Sequence, residues 1–219
     1  LRRRKLLDQA DQFMDQTNRQ KKYTSDSQFK LLDLISGASV VSVTTPEVLK
    51  EINSLWNRLN LKIGVPIIDI QHLWLIKMIV DMEEAMRESQ LTREAVLAST
   101  LDEAIRYIDV HFRTEEELMD LLGYEQKKGH TARHKKFEEF VQERKRDFEA
   151  GNSRAAASLV KDLRDWLTNH IALEDKQFVA YYQNNQAKAL EFSKEAIVSG
   201  KAGIRQSQVD LYKAVVKGN

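Results

Sequence analysis

The stretch HFRTEEELMDLLGYEQKKGHTARH, residues 111–134, contains the end of one predicted helix, a short turn and the start of the next helix. Gly123 is placed to end the first helix, because glycine readily adopts the left-handed conformation that follows a helix C-terminus. The first helix is predicted over residues 92–122, with Thr92 as its N-cap, and the second over residues 126–150. Since only a few residues join them, these two helices are expected to run antiparallel.

Two pairs of potential metal ligands lie on these helices. His111 and Glu115 are four residues apart on the first helix, and His130 and His134 have the same spacing on the second. Residues four apart lie side by side on one face of a helix, so each pair can bind one metal ion or bridge to a neighbour. A single pair is weak evidence, because His111 with Glu115 is equally well an ordinary helix ion pair worth about 0.3 to 0.5 kcal/mol.

Two further predicted helices complete a four-helix bundle. One spans residues 69–88, and the other begins near Ser153, after Gly151, and ends at about Tyr182. Residue types that enter helices readily dominate the chain, which contains only two prolines and eight glycines. Short connections make consecutive helices antiparallel, so we predict an all-α fold with up-down-up-down helix order.

The remaining histidines fall at the same end of this bundle as the two pairs. His72 lies near the start of the first bundle helix, and His170 lies near the end of the fourth, five residues before Asp175. The helix order is predicted from loops and caps alone, without use of the histidines. The fact that all five histidines fall at one end of the bundle is therefore independent support for a common site. Burying so many titratable groups without partners would be very costly. We therefore predict that five imidazoles and two carboxylates meet in a metal centre.

The types of ligand restrict the metal. Imidazole with carboxylate suits iron, and also zinc, manganese or copper. The chain has no cysteine, which excludes thiolate ligands and disulfides and fits a reducing, cytoplasmic environment. A set of seven ligands is too large for one tetrahedral zinc ion and fits two octahedral ions that share bridging ligands.

Both ends of the chain extend beyond the bundle. We predict a helical N-terminal extension and linker over residues 1–52, the four-helix domain over 53–182 and a helical C-terminal extension over 183–219. No run of about 18 apolar residues occurs, so no membrane span is expected within this segment. The basic cluster at residues 2–5 leaves open attachment to a membrane as part of a longer protein. The formal net charge of +1 creates no overall field that would favour nucleic acid.

Several motifs resemble those of the bacterial hemerythrins. The matching motifs are IDIQH at residues 68–72, HFRTEE at 111–116, Gly123 with Tyr124, the pair His130 and His134, and WLTNHI at 166–171 followed by Asp175. The resemblance covers about residues 53–182 and includes all seven candidate ligands. Glu125 stands where many members have proline, and Ile70 stands where a charged residue is frequent, but neither is a candidate ligand.

The resemblance implies a cofactor of two iron ions, as Fe2+ or Fe3+. One iron would have three histidine ligands and the other two, and two carboxylates with an oxo or hydroxo group would bridge them. The first iron would be held by His130, His134 and His170, and the second by His72 and His111. The bridging carboxylates would be those of Glu115 and Asp175. The iron with two histidines would keep an open position for dioxygen.

The same resemblance implies an apolar pocket for the gas. The residues expected to wall it are Leu75, Phe112, Trp166 and Ile171, with Trp74 and Met119 as weaker candidates. A dry apolar wall would keep protons away from the bound gas. It would thereby slow the conversion of the iron site to its ferric state. Plain core packing explains any one of these residues equally well.

The resemblance favours reversible dioxygen binding without catalysis, in a carrier, a store or a sensor of oxygen or redox state, with nitric oxide as an alternative ligand. The second hypothesis is a di-iron oxidase, peroxidase or iron-handling enzyme. It is weaker because ferritin-like sites use Glu-x-x-His pairs, and none of the five histidines has Glu three residues before it. The third hypothesis is a helical assembly module with a regulatory metal site, in which the terminal helices bind a second copy or a signalling partner.

Overall fold

The computed structural model describes residues 44–151 and 153–217 of this chain, so most of the predicted N-terminal extension lies outside the described residues. Within the described part the regular structure is helical, and no strand is formed. The longer helices are α1 (Pro46–Arg58), α2 (Pro66–Ala85), α3 (Gln90–Leu122), α4 (Lys127–Glu149) and α5 (Ser153–Asn169). The helices after them are α6 (Val179–Asn184), α7 (Gln186–Val198) and α8 (Gln206–Lys217).

Helices α2 to α5 form the predicted four-helix bundle. Each packs against the next along the chain, and α5 packs back against α2, which closes the ring of four. Short connections join them, as expected for antiparallel neighbours. The predicted all-α fold with additional helices is therefore confirmed.

The sequence predicted the C-terminal end of α3 correctly but not its N-terminal end. Gly123 has a φ of 68° and follows the last residue of α3, as predicted. The backbone N–H groups of Gly123 and Tyr124 donate to carbonyls of the last turn, which satisfies acceptors that the helix leaves open. The predicted start was wrong, because Ser89 holds the N-cap position and Thr92 lies within the first turn.

Helix α2 begins at Pro66, three residues before the predicted start at Asp69. Proline suits this first position, because its fixed φ fits a helix and its missing N–H would have no partner inside the helix. The Asp69 carboxylate accepts hydrogen bonds from the backbone N–H groups of Ile63 and Gly64, both at 2.9 Å. These bonds attach the preceding loop to the first turn of α2, one turn before His72.

The segment predicted as the fourth helix, from near Ser153 to about Tyr182, is helical and continues to Asn184, but it is not a regular α-helix throughout. After α5 the chain forms one π-helical turn over His170–Glu174 and a 3-10 turn over Asp175–Phe178 before α6. The backbone N–H of Asp175 donates to the carbonyl of His170, five residues earlier. A π turn accommodates one more residue than an α turn. His170 and Asp175 therefore lie one above the other despite their spacing of five.

The remaining described helices cover the outside of the bundle. Helix α8 packs on α2 and α1, and α7 packs on α3. Nearly every residue of α2 is therefore buried, because the bundle covers one side of it and α1 with α8 cover the other. The division into domains remains a prediction, and its boundaries after residues 52 and 182 fall within α1 and α6. None of the helices in the described part of the chain is long and apolar enough to cross a membrane.

Candidate metal centre

All seven predicted ligands are buried at one end of the bundle. His72 lies on α2, His111 and Glu115 on α3, and His130 and His134 on α4, while His170 and Asp175 come from the turns that follow α5. His170 is the most exposed of them, at 4 %. Side chains of this polarity are seldom buried without a partner or a metal.

The ligand atoms form two groups that share Glu115. The first group contains Glu115, His130, His134 and His170, and the second contains Glu115, His72 and His111. Within each group the ligand atoms all lie within 4.8 Å of one another. The structure therefore brings together one set of three histidines and one set of two, with a carboxylate common to both.

The second carboxylate, Asp175, also contacts both histidine sets. Its Oδ1 lies 3.0 Å from His170 Nε2 and 3.4 Å from His130 Nε2, while its Oδ2 lies 3.2 Å from His72 Nε2. On the other side, Glu115 Oε2 lies 3.5 Å from His130 Nε2 and 3.4 Å from His134 Nε2. Two carboxylates placed between two histidine sets have the arrangement that bridging ligands need.

Many of these atoms have no hydrogen-bond partner among the described residues. They are both ring nitrogens of His72 and His130, Nε2 of His111, and both carboxylate oxygens of Glu115 and Asp175. Leaving a buried donor or acceptor unpaired costs about 1 to 3 kcal/mol, and more for a charged group. Metal ions would bind the unpaired lone pairs, so the donor set of imidazoles and carboxylates fits a metal centre.

The electrostatics of the site favour ionised carboxylates. Burial alone would raise the pKa of Glu115, but the contacts with His130 and His134 outweigh it and hold this pKa well below its usual value. Burial and the nearby Glu115 charge raise the pKa of Asp175, but His170 and His72 outweigh them and lower it to about 2. Both carboxylates are therefore in the form that binds metal ions.

The imidazoles of His111 and His134 differ in their affinity for protons. Burial lowers the pKa of His111 to about 3, so this ring is neutral. Burial also acts to lower the pKa of His134, but Glu115 and Glu116 outweigh it and raise the pKa to about 9. A metal ion that binds His134 must therefore displace a proton from this ring.

The residues predicted to wall a gas pocket are all close to the site or in the core. Phe112 stacks on the His134 ring with centroids 3.7 Å apart, and Trp166 stacks on the His170 ring at 4.4 Å. Ile171 is fully buried, and Leu75 lines a core cavity of about 20 Å³. Trp166 also lines a surface groove of about 520 Å³ between α4 and α5. The gas pocket itself remains a prediction.

The two weaker candidates are also buried. Met119 is fully buried, and Trp74 is 8 % exposed with the ammonium group of Lys77 5.4 Å from the centre of its ring. Core packing accounts for both positions.

Two polar residues that support candidate ligands were not predicted from the sequence. Glu116 Oε1 lies 2.8 Å from His134 Nδ1, and Gln71 Oε1 lies 3.3 Å from His111 Nδ1. A metal-binding histidine usually donates its second N–H to such a partner, which fixes the orientation of its ring. In the sequence, Glu116 and Gln71 are neighbours of the candidate ligands Glu115 and His72. Their partners lie on other helices, so only the folded chain identifies the pairs.

Comparisons with known proteins identify the family to which the bundle is similar. Residues 63–182 match the family model described as the hemerythrin HHE cation binding domain. The chain is 33 % identical over 136 residues to a bacteriohemerythrin of Stenotrophomonas maltophilia, across 62 % of this chain and 84 % of that protein. It is 31 % identical over 137 residues to the one from Pseudomonas paraeruginosa, across 62 % and 86 % of the two chains. For the bacteriohemerythrin of Methylococcus capsulatus the identity is 30 % over 124 residues, across 56 % and 92 %.

Proposed function

This chain belongs to the hemerythrin family, and from that premise we propose that its four-helix bundle holds two iron ions and binds dioxygen reversibly. One observation carries the proposal. Seven buried imidazoles and carboxylates converge from four helical segments, and most of their ligand atoms have no other partner among the described residues. A fold gains nothing from burying so many unpaired polar atoms unless a ligand satisfies them.

The ligands divide between the two irons according to the two groups of ligand atoms. The assignment is His130, His134 and His170 to one iron, His72 and His111 to the other, and Glu115 and Asp175 to both. The contacts of both carboxylates with histidines of the three-histidine set, and of Asp175 with His72, support their role as bridges. An oxo or hydroxo group as a further bridge remains a prediction.

When bound, two ferrous ions supply the two electrons that reversible dioxygen binding requires. The protein contributes the charge and lone pairs that hold the ions, and it keeps water away from them. The ionised Glu115 and Asp175 carboxylates offset the positive charge of the ions, and the neutral His111 ring offers a lone pair. Burial of every candidate ligand to 4 % exposure or less keeps bulk water away from the site.

The apolar side chains near the site complete this proposal. Phe112 covers one face of the His134 ring, and Trp166 covers one face of the His170 ring. Together with buried Leu75 and Ile171 they would exclude water and protons from a bound gas. Nitric oxide is a second diatomic ligand that the same pocket would admit.

The experiment that tests this function is a cycle between nitrogen and air. The protein is loaded with Fe2+ under nitrogen, the iron per chain is counted, and the visible absorption spectrum is recorded before and after admitting air. The proposal predicts about two irons per chain and a visible band that appears in air and disappears again under nitrogen. A spectrum that never changes, or an irreversible change to a ferric form, would contradict reversible binding.

A matched pair of variants controls this experiment. Asp175→Asn removes a buried carboxylate that contacts both histidine sets, whereas Asp165→Asn changes an exposed carboxylate that pairs with Lys161. We expect the first variant to lose the reversible band and the second to keep it. Steady turnover of peroxide or a reductant by the wild type, well above that of free iron, would instead favour an oxidase or peroxidase.

Within this function we propose a sensing role, supported by the packing of the C-terminal helices. Helix α8 packs on α2, which carries His72, and α7 packs on α3, which carries His111. If the protein is a sensor, we expect the backbone amides of α7 and α8 to differ in hydrogen-exchange protection between the deoxy and oxidised forms. Identical protection of these helices in both forms would favour a carrier or a store, for which no such coupling is needed.

A further inference from the structure

Gln71 is a fully buried amide that connects a candidate ligand to the C-terminal helices. Its Nε2 donates to the backbone carbonyl of Ala202 at 2.9 Å and to the Thr114 hydroxyl at 3.3 Å. Its Oε1 lies 3.3 Å from His111 Nδ1. Ala202 lies in the turn between α7 and α8, beyond residue 182, where the match to the family model ends.

The partners of this amide determine which way it faces. The Ala202 carbonyl can only accept a hydrogen bond, and the Thr114 hydroxyl already donates to the Val110 carbonyl at 2.8 Å. Both partners therefore require a donor from Gln71, which directs the amide oxygen to His111. An amide oxygen can only accept, so His111 must carry its proton on Nδ1.

This assignment has a direct consequence for metal binding. A neutral imidazole with its proton on Nδ1 has a free lone pair on Nε2. His111 Nε2 is buried and has no hydrogen-bond partner among the described residues. It is also the ring nitrogen left to face His72 and Glu115, with which His111 shares a group of ligand atoms.

The turn that supplies the Ala202 carbonyl is held firmly against α3. Gly203 has a φ of 61°, and a Cβ atom there would lie 3.2 Å from Val110 Cγ1, one residue before His111. The backbone N–H of Ala202 donates to the Ala196 carbonyl at 3.1 Å, which ties the turn to the end of α7. The position of the carbonyl is therefore fixed by backbone conformation and close packing together.

We infer that the turn between α7 and α8 is a support of the metal centre, because the Ala202 carbonyl holds Gln71 and Gln71 holds His111 in its metal-binding tautomer. Gln71 is in this sense a positioning residue. The link is reciprocal, since a displacement of the turn frees the Gln71 amide, and a rotation of the His111 ring removes the N–H donor to the Gln71 amide oxygen. The inference rests on the proposed function for the identity of the metal, but the tautomer of His111 does not depend on it.

The first test measures this tautomer in the metal-free protein by nitrogen-15 NMR of the histidine rings. We expect His111 to carry its proton on Nδ1 in the wild type and to lose this preference in Gln71→Met. The matched control is Gln142→Met, which makes the same change at an exposed position of α4. A wild-type His111 that carries its proton on Nε2, or that is unchanged in Gln71→Met, would overturn the inference.

The second test measures the loss of Fe2+ from the loaded protein to a chelator. Loss of a supporting partner typically weakens metal binding by about 10-fold to 100-fold, so we expect iron loss to accelerate by that order in Gln71→Met and not in Gln142→Met. Gly203→Ala should accelerate it too, and should add nothing in a Gln71→Met background because both act through one link. Additive effects, or no effect of either substitution, would overturn the coupling.

These measurements separate the inference from the proposed function. A wild type that binds no iron contradicts the proposed function, while the tautomer still decides the hydrogen-bonded link. A wild type that binds two irons and releases them no faster as Gln71→Met contradicts the inference alone. Circular dichroism establishes that each variant folds, and if Gln71→Met does not fold, Gly203→Ala tests the same link from its other end.

Discussion

Single residues decide whether the imidazoles of this site are held in place. Glu116 Oε1 lies 2.8 Å from His134 Nδ1, on the side of the ring opposite the Nε2 atom that faces Glu115. A carboxylate in this position fixes the ring and makes it a stronger ligand. The helix that supplies Glu116 also supplies Glu115, so two successive carboxylates of α3 contact the two nitrogens of one ring.

Substitution of Glu116 tests this support. We expect Glu116→Gln to accelerate iron loss to a chelator by about 10-fold, at the lower end of the usual range, because glutamine keeps an oxygen but not the charge. Glu117→Gln, at the adjacent exposed position, is the matched control and should release iron at the wild-type rate. Equal rates for all three proteins would show that Glu116 has no part in holding His134.

At the scale of the elements, the start of α2 positions His72. The loop before this helix is attached by two backbone hydrogen bonds to Asp69, which is fully buried. Removing a buried acceptor leaves its donors unpaired, and each unpaired group costs about 1 to 3 kcal/mol. The attachment of this loop to the first turn of α2 therefore depends on the Asp69 side chain.

We expect Asp69→Ala to lower the free energy of unfolding by about 2 to 4 kcal/mol, because two donors lose their acceptor. Urea unfolding of the metal-free protein measures this change without interference from metal binding. Asp81→Ala, which removes a partly exposed carboxylate of the same helix that pairs with Lys77, should cost less than about 1 kcal/mol. An equal effect of the two substitutions would argue against an anchoring role of Asp69.

The elements also show how far the sequence determines this structure. Gly123 ended α3 as predicted, because its conformational preference is local. A spacing of five does not place His170 and Asp175 on the same face of a regular α-helix, and only the structure identified the π turn that brings them together. The bond between Gln71 and Ala202 joins residues 131 positions apart, and no local pattern predicts such a contact.

At the scale of the whole molecule, α8 replaces solvent along the outer face of α2. Val209 and Val215 of α8 are fully buried, and Leu211 and Tyr212 are nearly so. Burial of these side chains removes apolar surface from water, which is the main stabilising contribution in folding. The C-terminal segment is therefore part of the folded unit that contains residues 63–182.

A pair of valine substitutions tests this contribution. We expect Val209→Ala to destabilise the protein by about 1 to 3 kcal/mol, because it removes two buried methyl groups and leaves a cavity. Val198→Ala makes the same change at a position that is 76 % exposed, and should have an effect within about 0.5 kcal/mol. Urea unfolding that shows equal stabilities for the two variants would contradict the packing of α8 on α2.

The proposed function depends on two metal ions lying between the same seven side chains. Anomalous diffraction at the iron absorption edge, from crystals grown with Fe2+ under nitrogen, tests this most directly. We predict two peaks, one among His130, His134 and His170 and one beside His72 and His111, with Glu115 and Asp175 adjacent to both. A single peak, or iron bound only elsewhere on the chain, would contradict the di-iron assignment.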